Sequence, residues 1–204
     1  MESDFCYTVA KHPKGGINME IRRLETERLV LRPWTMEDAQ DLYEYAQSPA
    51  VGPAAGWKPH ESLEESRSII KEMFIPGQDC WAMQLKGDGH VVGSVGLHED
   101  RSREKGLPVR MLGYVLAERC WGQGLMQEAC REVLRYGFRE AGLELVSVFH
   151  FTFNSRSRRT IEALGFIKEG TRRMVSTICD GTVVDEVGYS MTRAEFEEIC
   201  KKWR

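Results

Sequence analysis

The feature that most restricts the fold is a strand that leads through a glycine-containing loop into a long amphipathic helix. The strand is predicted over residues 110–117 and the helix over 123–141, with Trp121-Gly122-Gln123-Gly124 at their junction. From Leu125 to Ala141, apolar residues recur at helical spacing and define one buried face. A strand that turns directly into such a helix is typical of a layered α/β fold, in which helices cover a sheet.

Hydrophobic periodicity and turn residues predict the other elements. Further strands are predicted near residues 29–34, 80–86, 90–98, 145–153, 166–178 and 183–191. Helices are predicted over 35–46, 61–74 and 154–164, and after the capping-box pattern Thr192-Arg193-Ala194-Glu195. These elements make a single α/β domain of about seven strands, spanning residues 20–204. Residues 1–19 show no periodicity, and we interpret them as a flexible or loosely packed N-terminal extension.

Composition and charge exclude several classes of function. The 28 basic and 31 acidic side chains give a formal net charge of −3, so we expect no binding to nucleic acid or to an anionic membrane. No run approaches the ~20 apolar residues of a membrane helix, and residues 1–16 lack the apolar segment of a secretory signal. The six cysteines have neither C-x-x-C nor zinc-finger spacing, so we expect no metal site. Reduced thiols and the missing signal predict a cytoplasmic protein.

The glycines before the long helix suggest an anion-binding site. Glycine lets the backbone approach a ligand closely, and the first turn of a helix offers unpaired N–H groups at its positive dipole end. Such a corner suits a pyrophosphate. A plain strand-to-helix turn explains the glycines equally well at this point. A P-loop is excluded because no Gly-Lys-Ser/Thr is present, and a dinucleotide fold is disfavoured because position 127 is Gln.

The run from Trp121 to Ala129, W-G-Q-G-L-M-Q-E-A, resembles motif A of the GNAT acetyltransferases. It is most similar to the Rim-type ribosomal-protein N-terminal acetyltransferases, in which Gly-Tyr-x-Leu ends a strand and Trp-Gly-x-Gly-x-x-x-Glu-Ala follows after four residues. The superfamily pattern Gln/Arg-x-x-Gly-x-Gly/Ala fits in two registers, from Arg119 or from Trp121. The second register keeps the strand-to-glycine distance, and it places Met126 where the superfamily prefers Gly or Ala.

Other segments resemble the same branch in the expected order, over about residues 20–192. They are Glu27–Arg32, residues 92–97, Asn154-x-x-Ser157 and residues 163–170. The resemblance implies one GNAT-type α+β domain with a twisted, mixed, mostly antiparallel sheet flanked by helices. It also implies an enzyme that uses acetyl-CoA, without a metal, and acetylates a primary amine by direct attack on the thioester. The acceptor is either a protein N-terminal amine or a small amine, and the resemblance leaves room for a homodimer.

The resemblance further implies where coenzyme A binds. In GNAT proteins the strand before the glycine loop carries a bulge and splays from the next strand, and the pantetheine arm lies in the opening. Carried over, backbone groups of Val115, Leu116 and Ala117 hold the pantetheine, and an N–H near Val115 stabilises the oxyanion. The pyrophosphate is bound by five consecutive N–H groups, those of Gly122, Gln123, Gly124, Leu125 and Met126.

The helix at 154–164 is expected to complete the cofactor site. Asn154 is similar to a residue that binds the pantetheine amide, although Asn is also a preferred helix N-cap. One of three arginines reaches the adenosine 3′-phosphate, or all three form a solvated face: Arg156, Arg158 and Arg159. Many GNAT enzymes have an acidic Tyr seven residues after the Asn, but here that position is Ile161. Ser157 is the substitute we favour, either to protonate the leaving thiolate or only to orient the sulfur.

Catalysis also needs a base, because an amine with a pKa near ~10 is mostly protonated at neutral pH. The candidates are His98, Glu99 and Asp100, at the end of the strand predicted over 90–98, and each is equally explained as a polar residue opening a loop. His150 lies in an apolar run and is interpreted as a core histidine.

The acceptor side leaves alternatives open. Trp57 and His60 either wall the acceptor site or anchor their loop. Three nearby glutamates are compatible with a cationic acceptor: Glu61, Glu64 and Glu65. The alternative to an enzyme is a non-catalytic acyl-CoA-binding regulatory module, since a fold does not fix a function.

Overall fold

A computed structural model describes residues 19–203, which form one eight-stranded sheet covered by helices. The strands are β1 Leu24–Glu25, β2 Leu29–Arg32, β3 Cys80–Leu85, β4 Val91–His98, β5 Val109–Leu116, β6 Leu145–Phe151, β7 Ile167–Thr177 and β8 Val183–Thr192. The helices are α1 Ala39–Ala46, α2 Leu63–Ile69, α3 Ile75–Gly77, α4 Leu125–Arg139, α5 Ser155–Leu164 and α6 Arg193–Cys200. The predicted N-terminal extension lies outside the described residues up to residue 18, and Met19 already packs in the core. Within residues 19–203, no helix has the length and apolar character needed to span a membrane.

The strand order is β1-β2-β3-β4-β5-β6-β8-β7. Among the strands of residues 19–203, only β5 and β6 pair in parallel, so the mixed, mostly antiparallel sheet that the resemblance implied is confirmed. The expected count of about seven strands was one short. The additional strand is β1, whose two residues pair with Leu31 and Val30 of β2. Two residues are too few to show an alternation of apolar and polar side chains, and therefore this strand could not be predicted from the sequence.

Local sequence signals explain where the helices begin and end. The capping box at Thr192 and Glu195 opens α6 as predicted, and Ser62 caps α2 by accepting a hydrogen bond from the Glu65 N–H. The helix predicted over 61–74 continues from α2 as a π-helical turn, Ile70–Phe74, before Pro76 and Gly77 end it. At the C-terminus of α4 the last helical residue is Arg139, two residues before the predicted end.

The side chains of β4 alternate between two layers of helices. On one face Leu97 packs against α4, where a Cβ added at Gly137 would lie 3.0 Å from the Leu97 Cδ1. On the other face β4 packs against α1, where Tyr45 lies beside Ser94. Helices α5 and α6 contact α4 and share its side of the sheet. The two faces of the sheet therefore have different partners, and this difference separates the two halves of the site described next.

Candidate active site

The sheet is open between β5 and β6. Pairing between these parallel strands is limited to Val109–Met111 of β5 and Leu145–Ser147 of β6, and beyond these residues the two strands diverge. Meanwhile residues 111–116 of β5 stay paired with β4 in continuous register, so the splay does not arise from a bulge between those two strands. The implied opening is therefore present, but the bulge that was expected with it is not seen on the β4 side.

The hydrogen-bond register shows which backbone groups face the opening. The Ala117 N–H donates to the Val92 carbonyl at 2.7 Å, at the end of the β4–β5 ladder. In an antiparallel ladder the backbone N–H and C=O groups of successive residues point alternately to one neighbouring strand and to the other. The N–H and C=O of Val115, two residues before Ala117, therefore also face β4. The N–H groups of Tyr114 and Leu116 point into the opening instead, whereas the Leu112 N–H is used in the last β5–β6 pair, Met111 with Ser147. This corrects the expectation for Val115 and Ala117, whose N–H groups are used within the sheet.

The loop after β5 forms the expected corner at the start of α4. Gly122 and Gly124 have φ values of +75° and +77°, a left-handed conformation that side chains disfavour. The first α4 hydrogen bond runs from the Glu128 N–H to the Gly124 carbonyl at 3.0 Å. The N–H groups of residues 125–127 precede it and have no partner within the helix. The Met126 side chain is buried in the core, so the position that departs from the superfamily pattern leaves the corner clear.

A hydrogen-bonded ion pair that was not predicted from the sequence connects this corner to the start of β2. The Glu128 carboxylate accepts hydrogen bonds from the Arg28 N–H at 2.8 Å, from Arg28 Nε at 2.7 Å and from the Thr26 hydroxyl. Arg28 Nη1 also donates to the Gln123 carbonyl at 2.9 Å. Burial raises the pKa of Glu128, but the hydrogen bonds from Thr26 and Arg28 outweigh burial and lower it. Arg28 belongs to the segment Glu27–Arg32 and Glu128 to the segment Trp121–Ala129, and both segments resemble GNAT motifs. The contact between the two side chains explains why the two motifs occur together.

Across the opening, the start of α5 faces β5. The Asn154 side chain caps the helix by accepting from the Ser157 N–H at 3.0 Å, and its amide donates to the Ala54 carbonyl at 2.9 Å. The Ser157 hydroxyl lies 2.9 Å from the Tyr114 hydroxyl. Burial raises the pKa of Tyr114 well above its ordinary value, so the phenol stays protonated at neutral pH. Tyr114 was visible in the Gly-Tyr-x-Leu motif, but no local signal linked it to Ser157.

The three candidate bases differ in their surroundings. His98 is partly exposed, and its Nδ1 lies 2.8 Å from Oδ2 of Asp79, a residue that sequence reasoning missed. Glu99 follows β4 and is half-buried. Asp100 is buried and accepts hydrogen bonds from the Ser102 N–H and hydroxyl and from the Ser147 hydroxyl. Because its oxygens are occupied, Asp100 is a structural residue that ties the following loop to β6.

The arginines of α5 separate into different environments. The Arg156 guanidinium lies over the Trp121 ring, 3.8 Å from its centroid, and thus beside the glycine corner. Arg158 instead lines a cleft of about 300 Å³ on another side of α5, together with His150 and Tyr189. His150 is the buried core histidine that was predicted, with Nδ1 2.8 Å from the Phe151 carbonyl. Only Arg156 of these two arginines is placed beside the corner.

The loop between α1 and α2 closes the other face of the opening. A Cβ added at Gly56 would lie 3.3 Å from the Phe151 ring of β6, and Asn154 holds Ala54 of the same loop. The Trp57 ring fills the space beside Gly52, and His60 Nδ1 lies 2.8 Å from the Ser66 hydroxyl. These contacts support the anchoring role for both residues.

The structure thus places the predicted residues in two groups on the opposite faces of β5. Tyr114, Ser157, Asn154 and the glycine corner lie on the α4 side, and His98 lies on the α1 side. Two of the three glutamates that were compatible with a cationic acceptor already have partners. Glu61 pairs with Lys58 at 3.1 Å, and Glu65 accepts a hydrogen bond from the Glu61 N–H. Among residues 19–203, no group of three or more His, Cys, Asp or Glu side chains is arranged to hold a metal ion.

Comparison with known proteins gives a consistent result. Residues 28–167 match the family described as acetyltransferase (GNAT) domain. The chain is 28% identical over 174 residues to the "Uncharacterized N-acetyltransferase YoaA" of Bacillus subtilis, which covers 83% of this chain and 96% of that protein. It is 32% identical over 140 residues to the "Putative ribosomal N-acetyltransferase YdaF" of the same organism, covering 65% of this chain and 74% of that protein.

A solved structure shares the fold. RimJ of Mycobacterium smegmatis, crystallised in complex with CoA-disulfide, superposes with a TM-score of 0.67 at 21% identity. The match covers 86% of this chain and 88% of RimJ. The Rim-type likeness inferred from the glycine motif is therefore confirmed by relatives and by fold.

Proposed function

This chain belongs to the GNAT acetyltransferase family, and on that premise we propose that it moves an acetyl group from acetyl-CoA to a primary amine by direct attack on the thioester. The observation that carries the proposal is the continuity of the open β5 edge with the glycine corner. A pantetheine amide chain suits an unpaired strand edge, since it offers N–H and C=O groups of its own. A pyrophosphate suits unpaired N–H groups at a helix N-terminus.

The residues present fit coenzyme A at each point of this path. Tyr114 and Leu116 supply the outward N–H groups, one of which would stabilise the oxyanion. The N–H groups from Gly122 to Met126 would hold the pyrophosphate. Arg156 has its fork of donors beside this corner, where it would bind the 3′-phosphate or the pyrophosphate. Asn154 keeps one amide hydrogen for the pantetheine after its bond to Ala54.

Proton transfer would use residues on both sides of β5. Ser157 lies where it would meet the leaving thiolate, and the Tyr114 phenol behind it supplies the proton that a serine alone gives up reluctantly. His98 and Glu99 remain the candidate bases on the other side.

The acceptor is proposed to be a protein N-terminal amine or a small amine. The ribosomal name of YdaF and the Rim-type likeness support the N-terminal amine. The support for a small cationic amine is reduced, because Glu61 and Glu65 are already engaged. A cytoplasmic location and a homodimeric assembly belong to the same proposal.

Binding and turnover test the proposal separately. We expect acetyl-CoA to raise the melting temperature by mass action and to bind with one site per chain in calorimetry. We expect free thiol to be released when acetyl-CoA is mixed with an acceptor from a panel of short free-amine peptides, polyamines and aminoglycosides. No thermal shift at millimolar acetyl-CoA would refute the assignment. Binding without turnover, and activity unaffected by Ser157→Ala, would support the regulatory module instead.

A further inference from the structure

We propose that Asp79 and His98 form a carboxylate–imidazole pair in which His98 Nε2 is the general base and Asp79 is its positioning residue. The inference deepens the proposed function and rests on it. It assigns the base among the candidates and adds a residue that has no motif of its own.

The β3–β4 hairpin brings the two residues together. Asp79 immediately precedes β3, and its carbonyl accepts from the Leu97 N–H at 2.9 Å, one residue before His98. Its carboxylate Oδ2 lies 2.8 Å from His98 Nδ1. A carboxylate only accepts hydrogen bonds, so Nδ1 must carry the proton. The lone pair of the neutral ring is then on Nε2, which is left to accept a proton from a substrate.

Two glycines fix where Nε2 lies. Gly96 of β4 and Gly113 of β5 are directly paired, and the His98 ring lies across both of them. A Cβ added at Gly113 would lie 2.9 Å from Nε2, and one added at Gly96 would lie 2.7 Å from it, so either side chain would displace the ring. Tyr114 follows Gly113 in β5, and its N–H group faces the opening. Nε2 therefore lies over the part of β5 where the thioester is proposed to bind.

The surroundings favour His98 over the other candidates. The oxygens of Asp100 are filled by hydrogen bonds from neighbouring residues, and within residues 19–203 no hydrogen bond or ion pair orients the Glu99 carboxylate. The His98 and Asp79 side chains are 35% and 34% exposed, so the imidazole is both held and reachable by a substrate. A base that is oriented by a third group is the arrangement found in other enzymes that activate a nucleophile.

The proton and electron balance is complete without a further reactant. His98 Nε2 takes one proton from the substrate ammonium, and the Asp79 carboxylate stabilises the imidazolium that results. The amine lone pair forms the C–N bond with the acetyl carbon, and the C–S electron pair leaves with sulfur. His98 passes this first proton to water, and Nε2 then takes the second nitrogen proton as the amide forms and releases it in the same way. The thiolate takes a proton from the Ser157 hydroxyl, Ser157 regains one from Tyr114, and Tyr114 regains one from water, so the net products are the amide, the free thiol and one proton in solvent.

Kinetics of the full chain test the pairing, with the best acceptor of the amine panel. We expect His98→Gln to lower kcat at least ~100-fold and Asp79→Asn about 10-fold or more, with the KM for acetyl-CoA within about twofold of wild type. The double variant should be no slower than His98→Gln alone, because Asp79 acts through the imidazole. Additive losses, or normal kcat in Asp79→Asn, would overturn the proposal.

The chain offers a matched control pair. His90 Nδ1 lies 2.9 Å from Asp41 Oδ1, a similar contact located between α1 and the start of β4. His90→Gln and Asp41→Asn should leave kcat unchanged. Unfolding of the Asp79 or His98 variant would be detected by melting temperature, and acetyl-CoA affinity by calorimetry would show whether the cofactor site is intact.

A second measurement needs no acceptor. Nitrogen-15 NMR of labelled histidine in the full chain, saturated with coenzyme A, should show the neutral His98 ring protonated at Nδ1, and Asp79→Asn should remove that preference. A ring protonated at Nε2 in the wild type would refute the base assignment even if no tested amine is acetylated. If coenzyme A itself fails to bind, the proposed function fails; if it binds and the Nδ1 tautomer is missing, only this inference fails.

Discussion

Replacing Gly124 tests the phosphate corner most directly. Gly124, with φ at +77°, is the N-cap that precedes α4, and a Cβ added there would meet Arg28 Nη2 at an ordinary 3.6 Å. Asp and Asn therefore both fit in space, and both tolerate a left-handed backbone better than most residues. Gly142, at the other end of α4, has φ at +76° with nothing within 4 Å of an added Cβ, so Gly142→Asp is a control for strain alone.

The expected loss comes from charge. A carboxylate about 7 Å from one phosphate charge, at an effective dielectric constant of about 20, costs about 2.4 kcal/mol, or about 50-fold in affinity. Arg28 would offset part of this, but its charge is already engaged by Glu128. We therefore expect Gly124→Asp to bind coenzyme A about 10- to 50-fold more weakly than Gly124→Asn, which has the same shape without the charge.

Calorimetry at 50 and 500 mM NaCl provides the assay. The Asp–Asn difference should shrink at high salt, where the screening length falls toward a few ångströms. Gly142→Asp should lose about as much melting temperature as the Gly124 variants and bind coenzyme A normally. Equal affinities of Gly124→Asp and Gly124→Asn at low salt would show that the corner does not hold phosphate.

Three further predictions concern other parts of the site and fold. Tyr114→Phe should lower kcat more than it raises the KM for acetyl-CoA, and a normal kcat would remove the phenol from the proton path behind Ser157. Arg156→Gln, which keeps a planar group over Trp121, should weaken coenzyme A binding and reduce its salt dependence; unchanged calorimetry would leave Arg156 a structural residue. Asp100 has its pKa raised by burial but lowered overall by hydrogen bonds from neighbouring hydroxyl and N–H groups, so its folded pKa is below the unfolded value. Its contribution to stability is therefore present above the unfolded pKa and lost as pH falls through the folded one, and in urea unfolding Asp100→Asn should cost most near neutral pH and progressively less on acidification.

The elements that could be predicted from the sequence are those specified by short local patterns, such as helix caps and turns. The capping box at Thr192 and the turn Asp180-Gly181 depend on residues a few positions apart, and both occur where they were expected. The glycine corner was predictable for the same reason, since Gly122 and Gly124 adjoin the helix that they open. Such features depend on residues that are neighbours in the chain, and therefore they can be predicted from the sequence.

The contacts that were missed join residues far apart in the chain. Asp79 and His98 are 19 positions apart, Tyr114 and Ser157 are 43 apart, and Arg28 and Glu128 are 100 apart. Each contact depends on strand register or on how a helix packs, and a one-residue change of register would reverse the face of every side chain on a strand. The same sensitivity explains why the Val115 N–H faces β4 whereas the Tyr114 N–H, one position away, faces the opening.

The substitution at position 161 follows from this geometry. Ile161 is completely buried in the core, so α5 uses this position for packing rather than for presenting a phenol to the opening. The phenol comes instead from β5, where Tyr114 reaches Ser157 from the opposite side of the cleft. Because adjacent strand residues face opposite ways, Tyr114 lies on the α4 face while Gly113 leaves room for His98 on the other. One strand thus lies between the proton donor and the base that we propose, so each of them reaches the opening from its own face of the sheet.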